Sequence, residues 1–203
     1  MENQGKQEHK RRLFVAIEIA ESWRQELARI RRELEPIGGA DLKWVRPELL
    51  HITIAFLGYQ PDGSLQLIES ALVAASKDVS PFRITLGRLG CFGQPHNLKV
   101  LWVGITEVPK ELQQLHSSVS AHLSSKGIPF DRKPLVPHIT LARARPSLRK
   151  DTSQRIYGKF QGLSFSTLPP IDVTEFVLME SHLSRLGPEY QKLRHFPLSR
   201  DML

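Results

Sequence analysis

The chain has 203 residues, 40% hydrophobic and 24% charged, which is typical of a folded globular protein. No apolar run approaches the roughly 20 residues of a membrane-spanning helix, and residues 1–11 are too polar for a secretory signal. Cys91 is the only cysteine, which excludes an intrachain disulfide and a cysteine-based zinc site. The net charge of +7 favours polyanionic partners. We expect a cytoplasmic protein with no membrane partner and a disordered polar tail at residues 1–11.

The pattern of apolar residues predicts strands and helices in a repeating order. Short runs rich in β-branched residues predict strands at residues 13–19, 51–58, 81–90, 98–105, 135–145, 172–181 and 190–198. Apolar residues at helical spacing predict helices at residues 21–36, 61–78 and 109–127, with a shorter helix at 149–157. The first helix is expected to end at Pro36. Each half of the chain thus reads strand, helix, strand, helix, strand.

A five-residue segment occurs twice in the chain. His51-Ile52-Thr53-Ile54-Ala55 returns 87 residues later as His138-Ile139-Thr140-Leu141-Ala142. Composition alone would produce such a match only about 0.03 times. Leu13, in the first predicted strand, lies 38 residues before His51, and Val100, in the strand predicted at 98–105, lies 38 residues before His138. We infer two duplicated halves, at about residues 12–90 and 99–200, with residues 90–97 as the candidate linker.

The fold class that we expect is α+β. The two halves would form a bilobal, pseudo-two-fold fold with two antiparallel sheets facing a central cleft and helices outside. Residues 12–203 would then make a single domain.

The repeated segment places an imidazole beside a hydroxyl. Side chains alternate along a strand, so His51 shares a face with Thr53, and His138 shares a face with Thr140. Imidazole can take a proton from an attacking oxygen or give one to a leaving oxygen near neutral pH. Threonine hydroxyls can donate to phosphoryl oxygens. Two histidines and two threonines around one anion suit phosphodiester cleavage without a metal.

The flanks of both segments resemble a known family. WVRPELLHITIAFLG, from Trp44, and KPLVPHITLARAR, from Lys133, are similar to the paired H-x-T-x signatures of the 2H phosphoesterase superfamily. RRLFVAIEI and SHLSRLGPEYQKLRHFPL, near the two ends, resemble its LigT-like branch, the RNA 2′,3′-cyclic phosphodiesterases, also called 2′,5′-RNA ligases. The resemblance implies an enzyme that cleaves RNA 2′,3′-cyclic phosphates to 2′-phosphates without a metal. It implies that His51 is the general acid and His138 the general base, with the two threonines holding the phosphate.

Five further residues are candidates for the cleft. Arg143 stands where LigT-like proteins commonly carry arginine and could bind phosphate or RNA. Its odd offset from His138 places it on the opposite face of the strand unless the strand bulges. Phe56 is its equivalent in the first half, has the same parity, and could stack on a base. Trp44, Arg46 and Tyr190 are possible RNA contacts. We expect a monomer that needs no metal, cofactor or obligate protein partner, with RNA or nucleotides ending in 2′,3′-cyclic phosphate as the substrate.

The sequence is also compatible with three alternative functions. One is a 2′–5′ RNA ligase acting on tRNA-like ends. Another is a non-catalytic RNA-binding module, which two complete tetrads disfavour because a binder needs no pair of titratable groups. The last is a metal-dependent hydrolase with the histidines as ligands, although zinc usually takes three or four protein ligands.

Overall fold

The predicted strands and helices occur in the predicted order, with an additional short strand at Leu42–Trp44 and with the predicted strands 81–90 and 172–181 each divided in two. This computed structural model describes residues 9–164, 168–184 and 187–199. The strands are β1 (Lys10–Glu18), β2 (Leu42–Trp44), β3 (His51–Pro61), β4 (Phe82–Ile84), β5 (Leu86–Gln94), β6 (Asn97–Ile105), β7 (His138–Ala144), β8 (Ile171–Val173), β9 (Glu175–Ser184) and β10 (Gly187–Pro197). The helices are α1 (Glu21–Gly38), α2 (Leu65–Lys77), α3 (Lys110–Ser125) and α4 (Lys150–Gln161).

The main sheet consists of two antiparallel wings joined at a narrow point. Eight of the described strands form it, in the order β10-β9-β1-β3-β7-β6-β5, with β2 also beside β7. In the described strands, β3 and β7 meet at one backbone pair, Ile52 opposite Ile139. The first wing is therefore β10-β9-β1-β3, and the second wing is β2, β7, β6 and β5. Strands β4 and β8 pair separately.

The two halves of the sequence exchange strands. β5 belongs to the first half but pairs with β6, and β9 belongs to the second half but pairs with β1. Neither half holds a complete wing, so we propose that the chain from residue 12 onward folds as one bilobal domain. The predicted linker at residues 90–97 is wrong, because this segment is the β5–β6 hairpin. Gly93 bends it with a φ of +98°, and any Cβ there would overlap the backbone of Asn97.

The predicted disordered tail is too long at its C-terminal end. Residues 1–8 lie outside the described residues, but Lys10 and Arg11 belong to β1. Arg11 pairs with Asp62 at 2.6 Å and with the buried carboxylate of Glu180 at 2.8 Å. Removing one partner of a buried ion pair leaves a costly unpaired charge, so this arginine holds the start of β1 on the sheet.

The hydrophobic core lies on the outer face of the sheet, away from the space between the wings. Helix α1 contributes Trp23, Leu27 and Ile30, which pack in one cluster with strand residues such as Ile52 and Ile139. Helix α1 runs to Gly38 and not to the predicted end at Pro36. The expected α+β fold with helices outside is confirmed, and the two expected antiparallel sheets correspond to the two wings of the main sheet. Within the part of the chain that the structure describes, no helix has the length and apolar character needed to cross a membrane.

Candidate active site

A cleft of about 740 Å³ lies between the two wings. β1, β3, β9 and β10 line one side, β2 and β7 line the other, and the segment before β7 also reaches the cleft. Every site residue proposed from the sequence lines this cleft: His51, Thr53, Phe56, Trp44, Arg46, His138, Thr140, Arg143 and Tyr190. The cleft thus brings together residues that lie up to about 150 positions apart.

A β-bulge in β7 brings Arg143 onto the histidine face. The residues on either side of Leu141 pair with the consecutive residues Trp102 and Leu101 of β6, so Leu141 is the extra residue of the bulge. Leu141 and the alanine after it are both buried. The alternation therefore shifts by one position, and Arg143 emerges on the same side as His138.

The first half contains the same bulge at the equivalent position. The residues around Ile54 pair with the consecutive residues Ala16 and Val15 of β1. Phe56 consequently faces the cleft beside His51. The alanine at the fifth position of the repeated segment, Ala55 or Ala142, is the buried residue that follows the bulge in each half. The repeat therefore encodes a bend in the strand as well as an imidazole and a hydroxyl.

Both histidines are held by the same backbone contact. The Nδ1 of His51 lies 2.7 Å from the carbonyl oxygen of Leu49, and the Nδ1 of His138 lies 2.6 Å from that of Val136. Because a carbonyl oxygen only accepts, Nδ1 carries the proton in each ring. The Nε2 atoms are left to exchange protons, and that of His51 lies 3.1 Å from the hydroxyl of Thr53.

The surroundings of both imidazoles favour the neutral form. Burial lowers the pKa of His51 below the usual 6.5, and the nearby charges of His138 and Arg143 lower it further. Burial also lowers the pKa of His138, and Arg143 again adds to the effect. An anion bound between the wings would oppose these positive charges and make protonation easier.

Comparison with known proteins identifies the family. The model of the LigT like Phosphoesterase family matches twice, at residues 17–102 and 103–190. This chain belongs to that family. The double match agrees with the internal duplication, and the predicted resemblance and phosphoesterase class are confirmed.

Named relatives cover almost the whole chain. An RNA 2′,3′-cyclic phosphodiesterase of Archaeoglobus fulgidus is 35% identical over 186 residues, which are 91% of this chain and 99% of the relative. One of Methanothermobacter thermautotrophicus is 30% identical over 187 residues, which are 92% and 98% of the two chains. The crystal structure of E. coli LigT complexed with 3′-AMP has a TM-score of 0.73 at 25% identity and covers 95% of this chain and 100% of its own.

An aromatic ring flanks each histidine of this LigT-like phosphoesterase. Tyr190 meets His51 edge-on, with ring centroids 5.4 Å apart, and Phe14 lies 4.9 Å from the same imidazole. Phe92 meets His138 edge-on at 5.0 Å. These contacts, together with the Nδ1 bonds, restrict rotation of both rings. Burial raises the pKa of Tyr190, so its hydroxyl stays protonated.

Several cleft residues were missed in the sequence. Arg12 and Phe14 line the cleft from β1, and Lys43 does so from β2. Alternation along β1 places Arg12 and Phe14 on one face of the strand. The sequence does not show which face of β1 meets the cleft. Asp131 and Lys133 reach the cleft from the segment before β7. Of the basic stretch from residue 132 to 150, Lys133 and Arg143 line the cleft.

Arg46 and Trp44 have structural contacts in addition to their place in the cleft. Arg46 donates to the carbonyl oxygen of Pro188 at 3.0 Å, which ties the segment after β2 to β10 of the other wing. Its guanidinium also lies 3.4 Å from Glu48. Trp44 packs under the guanidinium of Arg31, 5.7 Å from the ring centroid. A contact of either residue with RNA remains a prediction.

Gly90 makes room for an aromatic residue beside the site. It pairs with Trp102, whose indole ring lies where a Cβ on Gly90 would stand. The Trp102 ring centroid is 5.9 Å from that of His138. Gly90→Ala is expected to lower the free energy of unfolding by about 1–3 kcal/mol through overpacking. Urea denaturation measures this change, with Gly63→Ala as the control, because a Cβ on Gly63 meets nothing within 4 Å. Equal stability of the two variants would contradict the prediction.

Proposed function

We propose that this protein hydrolyses RNA 2′,3′-cyclic phosphodiesters to 2′-phosphomonoesters, with His51 and His138 as general acid and base and without a metal. The observation that carries the proposal is the pseudo-symmetric pair of imidazoles in one cleft. Each imidazole has its Nδ1 fixed on a backbone carbonyl, and each histidine is followed two residues later by a threonine that lines the same cleft. The curated relatives are named for this reaction. LigT binds 3′-AMP in a crystal structure, and that ligand is close in size to a hydrolysed cyclic nucleotide.

The reaction needs one proton taken and one given. Nε2 of His138 removes a proton from water, whose oxygen attacks phosphorus, and the bond from phosphorus to the 3′-oxygen breaks. Nε2 of His51 protonates the departing 3′-oxygen, which leaves a 2′-phosphate and a 3′-hydroxyl. The family resemblance supplies this direction. It is also supported by solvent access, because the bond from His138 to Val136 is exposed whereas the bond from His51 to Leu49 is partly buried.

The remaining cleft residues are assigned to substrate binding. Thr53 and Thr140 would donate to the non-bridging phosphoryl oxygens, where charge develops in the transition state. The bulge places Arg143 on the same face, where its guanidinium can offer two parallel donors to phosphate. Phe56 holds the equivalent place in the first wing and carries no charge, so a nucleobase is the part of the substrate that it would contact.

The ligand geometry supports a reaction without a metal. Each histidine has committed Nδ1 to a carbonyl, so the pair offers two nitrogens, whereas zinc usually takes three or four protein ligands. In the described residues, a group of metal-ligating side chains occurs at Glu18, Glu175 and His195, and it contains neither cleft histidine.

The test is hydrolysis of an RNA ending in 2′,3′-cyclic phosphate in excess EDTA. We expect full turnover and a product that carries only a 2′-phosphate, as shown by mapping of the terminal phosphate. Loss of activity on chelation, restored by zinc, would favour the metal-dependent alternative. Binding without any turnover would favour the RNA-binding module.

Ligation is a second candidate function, and one observation favours it. Phe92 and Val136 expose 38% and 48% of their surfaces. The Phe92 ring contacts the imidazole of His138, the proposed base, and the backbone carbonyl of Val136 bonds its Nδ1. Activation of water alone needs no apolar surface, whereas the ribose and base of an incoming RNA would use one. Adding an RNA with a free 5′-hydroxyl to the same assay separates the two functions, because ligation yields a 2′–5′ junction.

A further inference from the structure

Asp131 is out of place in a cleft built for an anion. Among the described residues that line the cleft, it is the one carboxylate, and five arginine and lysine side chains surround the same space. The pairing with Lys133 lowers the pKa of Asp131, so the group is ionised at neutral pH. A carboxylate repels phosphate, so binding of the phosphate does not account for it.

The backbone of Asp131 is fixed to that of Phe56, and both residues line the cleft. The backbone N–H of Asp131 donates to the carbonyl oxygen of Phe56 at 2.8 Å. Gln60, also on β3, donates to the carbonyl oxygen of Pro129 at 3.0 Å, which holds the same segment along the strand. The Asp131 side chain is 40% exposed and accepts from the Lys133 backbone N–H and Nζ. A carboxylate has about four acceptor positions, so about two remain for a ligand.

One aromatic ring, that of Phe14, lies between Phe56 and His51, the proposed general acid. The Phe14 ring centroid is 4.9 Å from that of His51 and 6.4 Å from that of Phe56, to which it is nearly parallel. The guanidinium of Arg12 lies 4.6 Å from the Phe56 ring centroid. A nucleoside whose 3′-oxygen meets His51 would extend its base towards this platform of Phe56 and Arg12, where both groups can stack.

We propose that Asp131 reads the hydrogen-bonding edge of the base that stacks on Phe56, and that the cleft therefore prefers guanine. This inference rests on the proposed function. Guanine presents two adjacent donors, N1–H and the N2 amino group, which match the two oxygens of one carboxylate. Adenine and cytosine present one amino group beside an acceptor nitrogen. Uracil presents N3–H between two carbonyl oxygens, which a carboxylate repels.

The experiment compares kcat/KM for the 2′,3′-cyclic phosphates of guanosine, adenosine, cytidine and uridine. We expect the native protein to favour guanosine over uridine by about tenfold, the usual scale for hydrogen bonds to a partly exposed charge. In Asp131→Asn this ratio should fall towards one. Lys133→Met is the matched control, because it keeps the carboxylate and should lower all four values while the ranking stays the same.

The outcomes separate this inference from the function on which it rests. If the native protein hydrolyses none of the four nucleotides, the proposed function fails. If it hydrolyses all four at similar rates, or if Asp131→Asn keeps the native ranking, base recognition by Asp131 is wrong and the carboxylate only orders the segment before β7. A lost ranking in Lys133→Met would also overturn the inference, because it would assign the preference to the ion pair.

Discussion

Replacing His51 or His138 with alanine is expected to lower kcat on a 2′,3′-cyclic nucleotide by about 10²–10⁴-fold, the usual contribution of positioned acid–base catalysis. Each ring holds Nδ1 on a carbonyl and leaves Nε2 for proton exchange, and among the described residues that line the cleft these are the two imidazoles. Steady-state kinetics on the single variants measures the effect. The kcat of the double variant should be only slightly lower than that of the less active single variant, because the effects of residues that act as a unit are not additive.

His116 provides the matched control for both substitutions. Its Nδ1 also bonds a backbone carbonyl, that of Ile54 at 2.9 Å, and it is partly buried on α3 outside the cleft. His116→Ala loses the same kind of contact without removing a cleft imidazole, so its kcat should stay near the native value. A single variant at His51 or His138 that retains full kcat would show that the two-histidine mechanism is wrong.

The sequence predicts the centre of this site because the signal is local and doubled. Alternation along a strand places each histidine on the same face as its threonine. The equal 38-residue spacing from Leu13 to His51 and from Val100 to His138 predicts the duplicated fold. The side of the strand taken by Arg143 was not predictable from alternation, because a bulge depends on the register with the neighbouring strand. The alanine shared by both copies marks that bulge, but its meaning is clear only once both strands are seen.

Other features depend on contacts between distant segments. The exchange of β5 and β9 between the halves leaves no local pattern, so the hairpin at residues 90–97 resembled a linker. Asp131 reaches the cleft through a backbone bond to Phe56, 75 residues earlier in the chain. Such irregular segments have no periodicity, so the sequence does not predict to which side their side chains point.

Arg143 is expected to act on the substrate and on the titration of both histidines. Its charge lowers the pKa of His51 and of His138, so Arg143→Gln should raise both. His138 must be neutral to act as the base and His51 protonated to act as the acid, so both limbs of the pH–rate profile should move to higher pH. The loss of a phosphate ligand should also lower kcat/KM by about 10²-fold.

Arg145→Gln is the matched control for this substitution, and NMR titration of the imidazole Cε1–H signals provides a readout independent of turnover. Arg145 is two residues further along, is exposed, and does not line the cleft, so the control removes the same charge from outside the site. Arg143→Lys keeps the charge but not the planar pair of donors. Its pH–rate profile should therefore match the native one, and its kcat/KM should lie between those of Arg143→Gln and the native protein. Equal pKa changes in the Arg143 and Arg145 variants would mean that net charge, and not the bulged position of Arg143, controls the two histidines.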